Sequence, residues 1–188
     1  MTKLLTVDLR SSVPGPAATP EMTRLLLDTQ LNFGRSEIQR WEPVHVVVED
    51  DRDSPKGLTD LMSTVPFLMV SRRFADLLRS FDCECEYLPL VVHYHGKTTE
   101  GEYFALNALR IFGKVIDRRQ SKIGLYHEEF GLARDIEKLV LSEKELDDAP
   151  LSFLEEIGHF AVNEKLARAI EDADLVGIKL LKPEEFSS

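Results

Sequence analysis

The spacing of apolar and polar residues along the chain predicts short strands mixed with short helices. Residues 44–48 are mostly β-branched and lie between Pro43 and an acidic run, which is the pattern of a strand. Residues 3–9 predict a second strand, which a proline-rich segment ends. Residues 103–109 are apolar on most sides, so they fit either a short helix or the end of a strand. Strands and helices in this irregular order indicate an α+β fold with a mixed sheet.

One pattern occurs twice in the chain, with its helical parts 92 positions apart. It consists of a short apolar run, a residue suited to cap a helix, two to three helical turns and a further strand. Ser71 and Asn163 are the two caps, because their side chains can accept a hydrogen bond from the first turn. The apolar stripes of the two helices contain Phe74, Leu78, Leu166 and Ile170. We therefore predict a repeated strand–helix–strand unit.

The length of 188 residues suits a single domain that buries its own core without a metal or a disulfide. We predict one α+β domain over residues 1–188, either undivided or formed of two lobes, 1–115 and 116–188. No uncharged apolar stretch approaches the roughly 20 residues that a membrane span requires. We therefore expect no membrane association.

The two cysteines, Cys83 and Cys85, point to a reducing compartment. They are one residue apart, and a disulfide across so short an extended segment has poor geometry. The first twelve residues lack the apolar core of a secretory signal. These features predict a cytoplasmic protein.

The charge balance favours a protein partner over a nucleic acid. The chain has 33 acidic and 23 basic residues, hence a net charge of −10, whereas binding to phosphates needs a basic face. Residues 110–122 form the markedly basic stretch, with five basic residues and one acid. The acids concentrate in two other segments, and we predict that these bind a basic partner. The predicted contact residues are Asp50, Asp51, Asp53, Glu143, Glu145, Asp147 and Asp148.

His93 and His95 are the candidate residues for metal binding or catalysis, because alternate residues of a strand face the same way. Cys85 would have to join them, but on one strand it lies about 26 Å from His93. The same distance argues against a Cys–His nucleophilic pair. The sequence also lacks the hydrolase, phosphate-loop and zinc-protease motifs. We therefore predict no catalytic, metal or cofactor site and expect a partly exposed strand face.

Trp41, the sole tryptophan, precedes the strand at residues 44–48. A tryptophan in this position is typically a structural anchor, either within a core or at the edge of one. The alternative is a contact with a partner, because tryptophan is enriched among residues that dominate binding energy. We predict the structural role.

Short motifs spread along the chain from Trp41 onward resemble a known family in their order. They are Trp41-x-Pro43-Val44, a polar loop with Asp60, Val70-Ser71-x-Arg73-x-Ala75-x-Leu77-Leu78, Glu86-Tyr87-x-Pro89-Leu90, Tyr103-x-x-Leu106-Asn107-x-Leu109, Leu139-Val140-Leu141-Ser142, Val162-Asn163-Glu164-Lys165-Leu166 and Val176-Gly177-Ile178-Lys179-Leu180-Leu181-Lys182-Pro183. The chain resembles the immunity-protein family of bacterial polymorphic toxin systems, formerly catalogued as a domain of unknown function.

This resemblance implies an α+β fold with a characteristic tryptophan, for which Trp41 is the candidate. It also implies a non-enzymatic cytoplasmic protein that binds and neutralises a cognate toxin domain. It brings no catalytic residues to this chain. Two alternatives remain: a scaffold or regulatory interaction protein of the same fold, and an enzyme that uses His93, His95 and nearby carboxylates.

Overall fold

The computed structural model describes residues 1–8, 31–49, 57–63, 67–127, 131–142, 146 and 148–187. The strands are β1 (Lys3–Val7), β2 (Val44–Val48), β3 (Leu61–Ser63), β4 (Leu68–Ser71), β5 (Cys85–Tyr94), β6 (Lys97–Ala108), β7 (Ile111–Phe112), β8 (Lys122–His127), β9 (Leu132–Lys138), β10 (Leu151–Leu154), β11 (His159–Val162) and β12 (Ile178–Leu181). The helices are α1 (Arg72–Ser80), α2 (Glu164–Asp172) and a 3₁₀ turn at Pro183–Glu185.

The strands form two five-stranded sheets and one hairpin. The first sheet has the order β2-β5-β6-β4-β3, the second has the order β12-β1-β11-β10-β7, and β8 pairs with β9. Both large sheets mix parallel and antiparallel pairs. The α+β class with short helices is therefore confirmed. The helical alternative for residues 103–109 is wrong, because this segment lies in β6 and pairs with both β4 and β5.

Both predicted strand–helix–strand units are present, and each encloses an additional strand. β6 runs antiparallel to β4 and β5 and lies between them, just as β1 lies between β11 and β12. The pairing registers also correspond, since Leu61 lies opposite Val70 in one unit and Leu151 lies opposite Val162 in the other. The first unit takes its enclosed strand from the next segment of the chain. The second unit takes it from the N-terminal strand.

The two helices begin at the predicted caps and pack into one core. Ser71 Oγ accepts a hydrogen bond from Phe74 N at 3.2 Å, and Asn163 Oδ1 accepts one from Leu166 N at 3.0 Å. Each helix buries three residues with the same spacing, namely Phe74, Ala75 and Leu78 in α1 and Leu166, Ala167 and Ile170 in α2. These side chains form one apolar cluster with residues from both large sheets. Burial of this shared surface holds the two units together.

Two further apolar clusters lie outside this core. One covers the opposite face of the first sheet, and the other joins the second sheet to the β8–β9 hairpin. β1 and β7 belong to the second sheet although they precede residue 115. The division into lobes at residues 115 and 116 stays a prediction. No helix in the described ranges has the length and apolar character needed to cross a bilayer.

Candidate interaction surface

Of the predicted acidic contact residues, Asp148 has a described position, and its side chain is exposed. The other six, Asp50, Asp51, Asp53, Glu143, Glu145 and Asp147, lie outside the described residues. The first group follows the C-terminal end of β2, and the second lies between Ser142 and β10. Their contact with a partner stays a prediction.

Trp41 lies half-buried at the edge of the apolar cluster on the first sheet. Its indole Nε1 donates a hydrogen bond to the carbonyl oxygen of Pro89 in β5 at 2.9 Å. Its ring meets Phe67 edge-on, with 6.4 Å between the ring centroids. The polar end of the indole is therefore satisfied by the sheet while the apolar body packs against the core. This position is compatible with the predicted structural role.

The segment before Trp41, residues 31–40, forms a strap that buried polar side chains hold to the first sheet. Glu86 in β5 accepts hydrogen bonds from Ser36 Oγ and from Glu37 N, the latter at 2.8 Å. Asn107 in β6 accepts from Asn32 N and donates to Arg35 O, at 2.8 and 2.9 Å. Burial by itself raises the pKa of Glu86. The hydrogen bonds that Glu86 accepts from Ser36, Glu37 and Asn107 outweigh burial and hold its pKa below the usual value. The strap is thus fixed by a carboxylate that stays ionised.

The strap exposes two large apolar side chains to solvent. Phe33 is 62% exposed and Ile38 is 54% exposed. The turn that carries Phe33 contains Asn32 and Gly34, both with positive φ, of 61° and 70°. A rigid base beneath exposed apolar residues is a common arrangement at protein interfaces, because little mobility is lost on binding. Sequence reasoning missed this strap, although Asn32-Phe33-Gly34 is a turn signal with an aromatic residue in the middle.

His93 pairs with a residue that the sequence analysis did not consider. Its Nε2 lies 2.8 Å from Nδ1 of His45 in β2, and its Nδ1 lies 3.0 Å from Oγ1 of Thr98. The two imidazole rings stack with centroids 5.1 Å apart. His95 lies beyond the end of β5, in a turn with φ of 48°, and so does not share the strand with His93. In the described part of the chain, no three His, Cys, Asp or Glu residues group in a way that could hold a metal.

Cys85 is the first residue of β5 and His93 is near its end, so one unbroken strand separates them. Both cysteines are free thiols. Burial is the main cause that raises the pKa of Cys83 to about 12 and that of Cys85 to about 11. Neither group is a thiolate near neutral pH, which a nucleophile would require.

Comparison with known proteins identifies a family. The family model described as "Immunity protein family (Imm11)" matches residues 4–185, from β1 to the 3₁₀ turn. No curated protein matches the chain. The resemblance drawn from the order of the short motifs is therefore confirmed over nearly the whole sequence. The chain belongs to the Imm11 family of immunity proteins.

Proposed function

We propose that this chain is a cytoplasmic immunity protein that binds a cognate toxin domain and neutralises it without catalysis of its own. The observation that carries the proposal is the family match over residues 4–185. An excess of ten acidic charges supports it, because such a surface attracts a basic partner and speeds their encounter. The inhibitor acts by occupying the toxin, so it needs surface complementarity and no reactive group of its own.

The acidic residues of two segments of the chain are the proposed contacts with a basic toxin domain. One set is Asp50, Asp51 and Asp53, and the other is Glu143, Glu145, Asp147 and Asp148. Charged residues in loops between rigid strands are well suited to recognition, because they can vary without disturbing the sheets. Their long-range attraction is screened within about 10 Å at 0.1 M salt. Raising the salt concentration should therefore slow association much more than it speeds dissociation.

Co-expression with a toxin encoded beside this chain tests the proposal. We expect the toxin to kill the host when expressed alone, and the host to survive when the two proteins are expressed together and co-purify. The variants Asp50→Lys/Asp51→Lys/Asp53→Lys and Glu143→Lys/Glu145→Lys/Asp147→Lys/Asp148→Lys should each protect less well while remaining folded. A control that matches the first variant in its change of charge reverses three exposed acids elsewhere, with Glu102→Lys, Asp172→Lys and Glu184→Lys.

The outcomes separate the component claims. If both charge-reversed variants protect as well as the parent, the acidic surface is not the interface. If the unaltered chain gives no protection and co-purifies with a protein that is not toxic, the scaffold or regulatory alternative replaces the immunity role.

A further inference from the structure

A cleft of about 700 Å³ lies between the segment that follows β7 and the β8–β9 hairpin. Its charged lining residues are Lys114, Asp117, Arg118, Arg119 and Glu156, and Tyr126 and Ser142 also line it. We call it the basic cleft. It is formed by the basic stretch that the sequence shows at residues 110–122, in a chain that is otherwise strongly acidic.

A buried carboxylate at the base of the cleft fixes its shape. Glu156 is 2% exposed, and its Oε2 accepts hydrogen bonds from the backbone N–H groups of Val115 and Ile116, at 2.8 and 2.9 Å. Its Oε1 accepts a hydrogen bond from the hydroxyl of Tyr126 at 3.2 Å. The side chain is therefore committed to the protein itself, and it holds the backbone that leads into the basic residues.

The rim of the cleft is equally well defined. Asp117 Oδ1 accepts hydrogen bonds from Arg119 N and Gln120 N, at 2.9 and 3.2 Å, which closes a tight turn. A hydrogen bond from the Gln120 side chain is the main reason why the pKa of Asp117 lies below its usual value. Because the turn is already formed, a ligand loses little free energy in ordering it.

The three cations of the cleft differ in their freedom. The guanidinium of Arg118 lies 3.8 Å from the centre of the Tyr126 ring and 3.6 Å from Glu156 Oε1, so its charge is partly balanced. Lys114 and Arg119 are exposed, and neither forms an ion pair with any residue that the structure describes. Asp117 also lines the cleft and its carboxylate attracts Arg119, so the described lining holds three cations against the two carboxylates Asp117 and Glu156 and keeps a small positive excess.

Carboxylates and phosphates both suit such a set of cations. A net charge of −10 opposes a nucleic acid, which brings a long row of phosphates, more than it opposes a short acidic peptide segment. Ser142, at the edge of the cleft, directly precedes the acidic residues from Glu143 onward. A partner that contacts both features must present acidic and basic groups side by side, which fixes its orientation.

We propose that the basic cleft binds carboxylate side chains of an acidic segment in the partner protein. This inference rests on the proposed function, since the partner is the toxin domain. The cleft would then give the interface a second electrostatic contact of opposite sign to the acidic surface. Rejection of wrong partners follows, because a uniformly basic protein would be repelled by Lys114 and Arg119.

The first test uses a fluorescently labelled hexaglutamate peptide as the probe. We expect saturable binding to the full chain, and at least a tenfold weakening in the variant Lys114→Glu/Arg119→Glu. The control variant Lys165→Glu/Lys179→Glu carries the same change of charge on exposed residues of α2 and β12 and should bind within twofold of the parent. Equal weakening in both variants, or no saturable binding by the parent, overturns the proposal. Tighter binding of an oligothymidylate probe than of hexaglutamate, lost in the same variant, overturns it in favour of a phosphate site.

A second test separates this inference from the proposed function. If the parent protects against its toxin and Lys114→Glu/Arg119→Glu protects equally well, the cleft is not part of the interface while the immunity role stands. If the parent itself fails to protect, the proposed function fails, and the peptide assay still decides whether the cleft binds carboxylates. Urea unfolding of each variant verifies that the fold is intact, as expected for exposed side chains.

Discussion

Replacement of Gly177 by alanine should destabilise the protein more than the small size of the added methyl group suggests. Gly177 lies between α2 and β12 with φ of 85°, a conformation that alanine adopts poorly. A Cβ at this position would lie 2.6 Å from the carbonyl oxygen of Leu61 and 2.7 Å from Oγ1 of Thr59. The backbone has little freedom to retreat, because Val176 O accepts from Asp60 N at 2.8 Å and Gly177 O accepts from Asp8 N at 3.0 Å.

The expected cost is the sum of two parts. The left-handed conformation costs an L-residue about 1–2 kcal/mol. Forcing a methyl group against backbone in a packed region costs about 1–3 kcal/mol more. We therefore expect Gly177→Ala to lower the free energy of unfolding by about 2–5 kcal/mol.

Gly158→Ala isolates the first part of this cost. Gly158 also has a positive φ, of 65°, but a Cβ there would meet no atom within 4 Å. This control should lose about 1–2 kcal/mol. Urea unfolding followed by far-ultraviolet circular dichroism measures both variants against the parent. If the two variants lose the same stability within experimental error, the close approach of Gly177 to β3 does not constrain the fold, and the reasoning is refuted.

Three further predictions concern residues placed by the fold. Trp41→Ala should lower the free energy of unfolding by about 2–4 kcal/mol, somewhat less than for a fully buried tryptophan, because the indole is half-buried and its Nε1 donates to Pro89 O. An unchanged unfolding midpoint, together with a solvent-exposed emission spectrum in the parent, would contradict this prediction. Cys83 and Cys85 should react slowly with a thiol reagent at pH 8, and faster only as the pH approaches about 11, because their pKa values are raised. Labelling of the native protein at pH 8 as fast as that of the urea-unfolded protein would rule this out. Ser71→Ala and Asn163→Ala should each lower the free energy of unfolding in urea by about 1 kcal/mol, whereas Ser80→Ala, at the other end of α1, should lower it less. Equal losses in all three variants would contradict the capping role of Ser71 and Asn163.

The features that the sequence predicted well depend on neighbouring residues. The caps Ser71 and Asn163 act on backbone groups three residues away, and the alternating burial of β2 follows from a short β-branched run. β6 was harder to recognise, because its first half is polar and its helical alternative in residues 103–109 has the right composition. Its strand conformation comes from pairing with β4 and β5 on both sides, which overrides local preference.

The candidate sites depend on distant residues, and the sequence predicted them less completely. The basic stretch was visible as composition, but the cleft also requires Glu156, which lies about 40 residues further along the chain. The strap is held by Glu86 and Asn107, and Asn107 is 75 residues away from Asn32. The contact of His45 with His93 requires the parallel pairing of β2 with β5. Long-range pairing of this kind leaves no periodic signal in a single sequence.

The position of β1 has a consequence for how the protein is made. β1 is synthesised before the other described strands, yet both of its partner strands, β11 at His159–Val162 and β12 at Ile178–Leu181, come far later in the chain. The second sheet therefore cannot close until β11 and β12 have been synthesised, while α1 and the first sheet can assemble earlier from residues 44–108. Closure across so many residues carries a large loss of chain entropy and makes a slow final step. A nascent chain thus remains without its second sheet until β11 and β12 have left the ribosome.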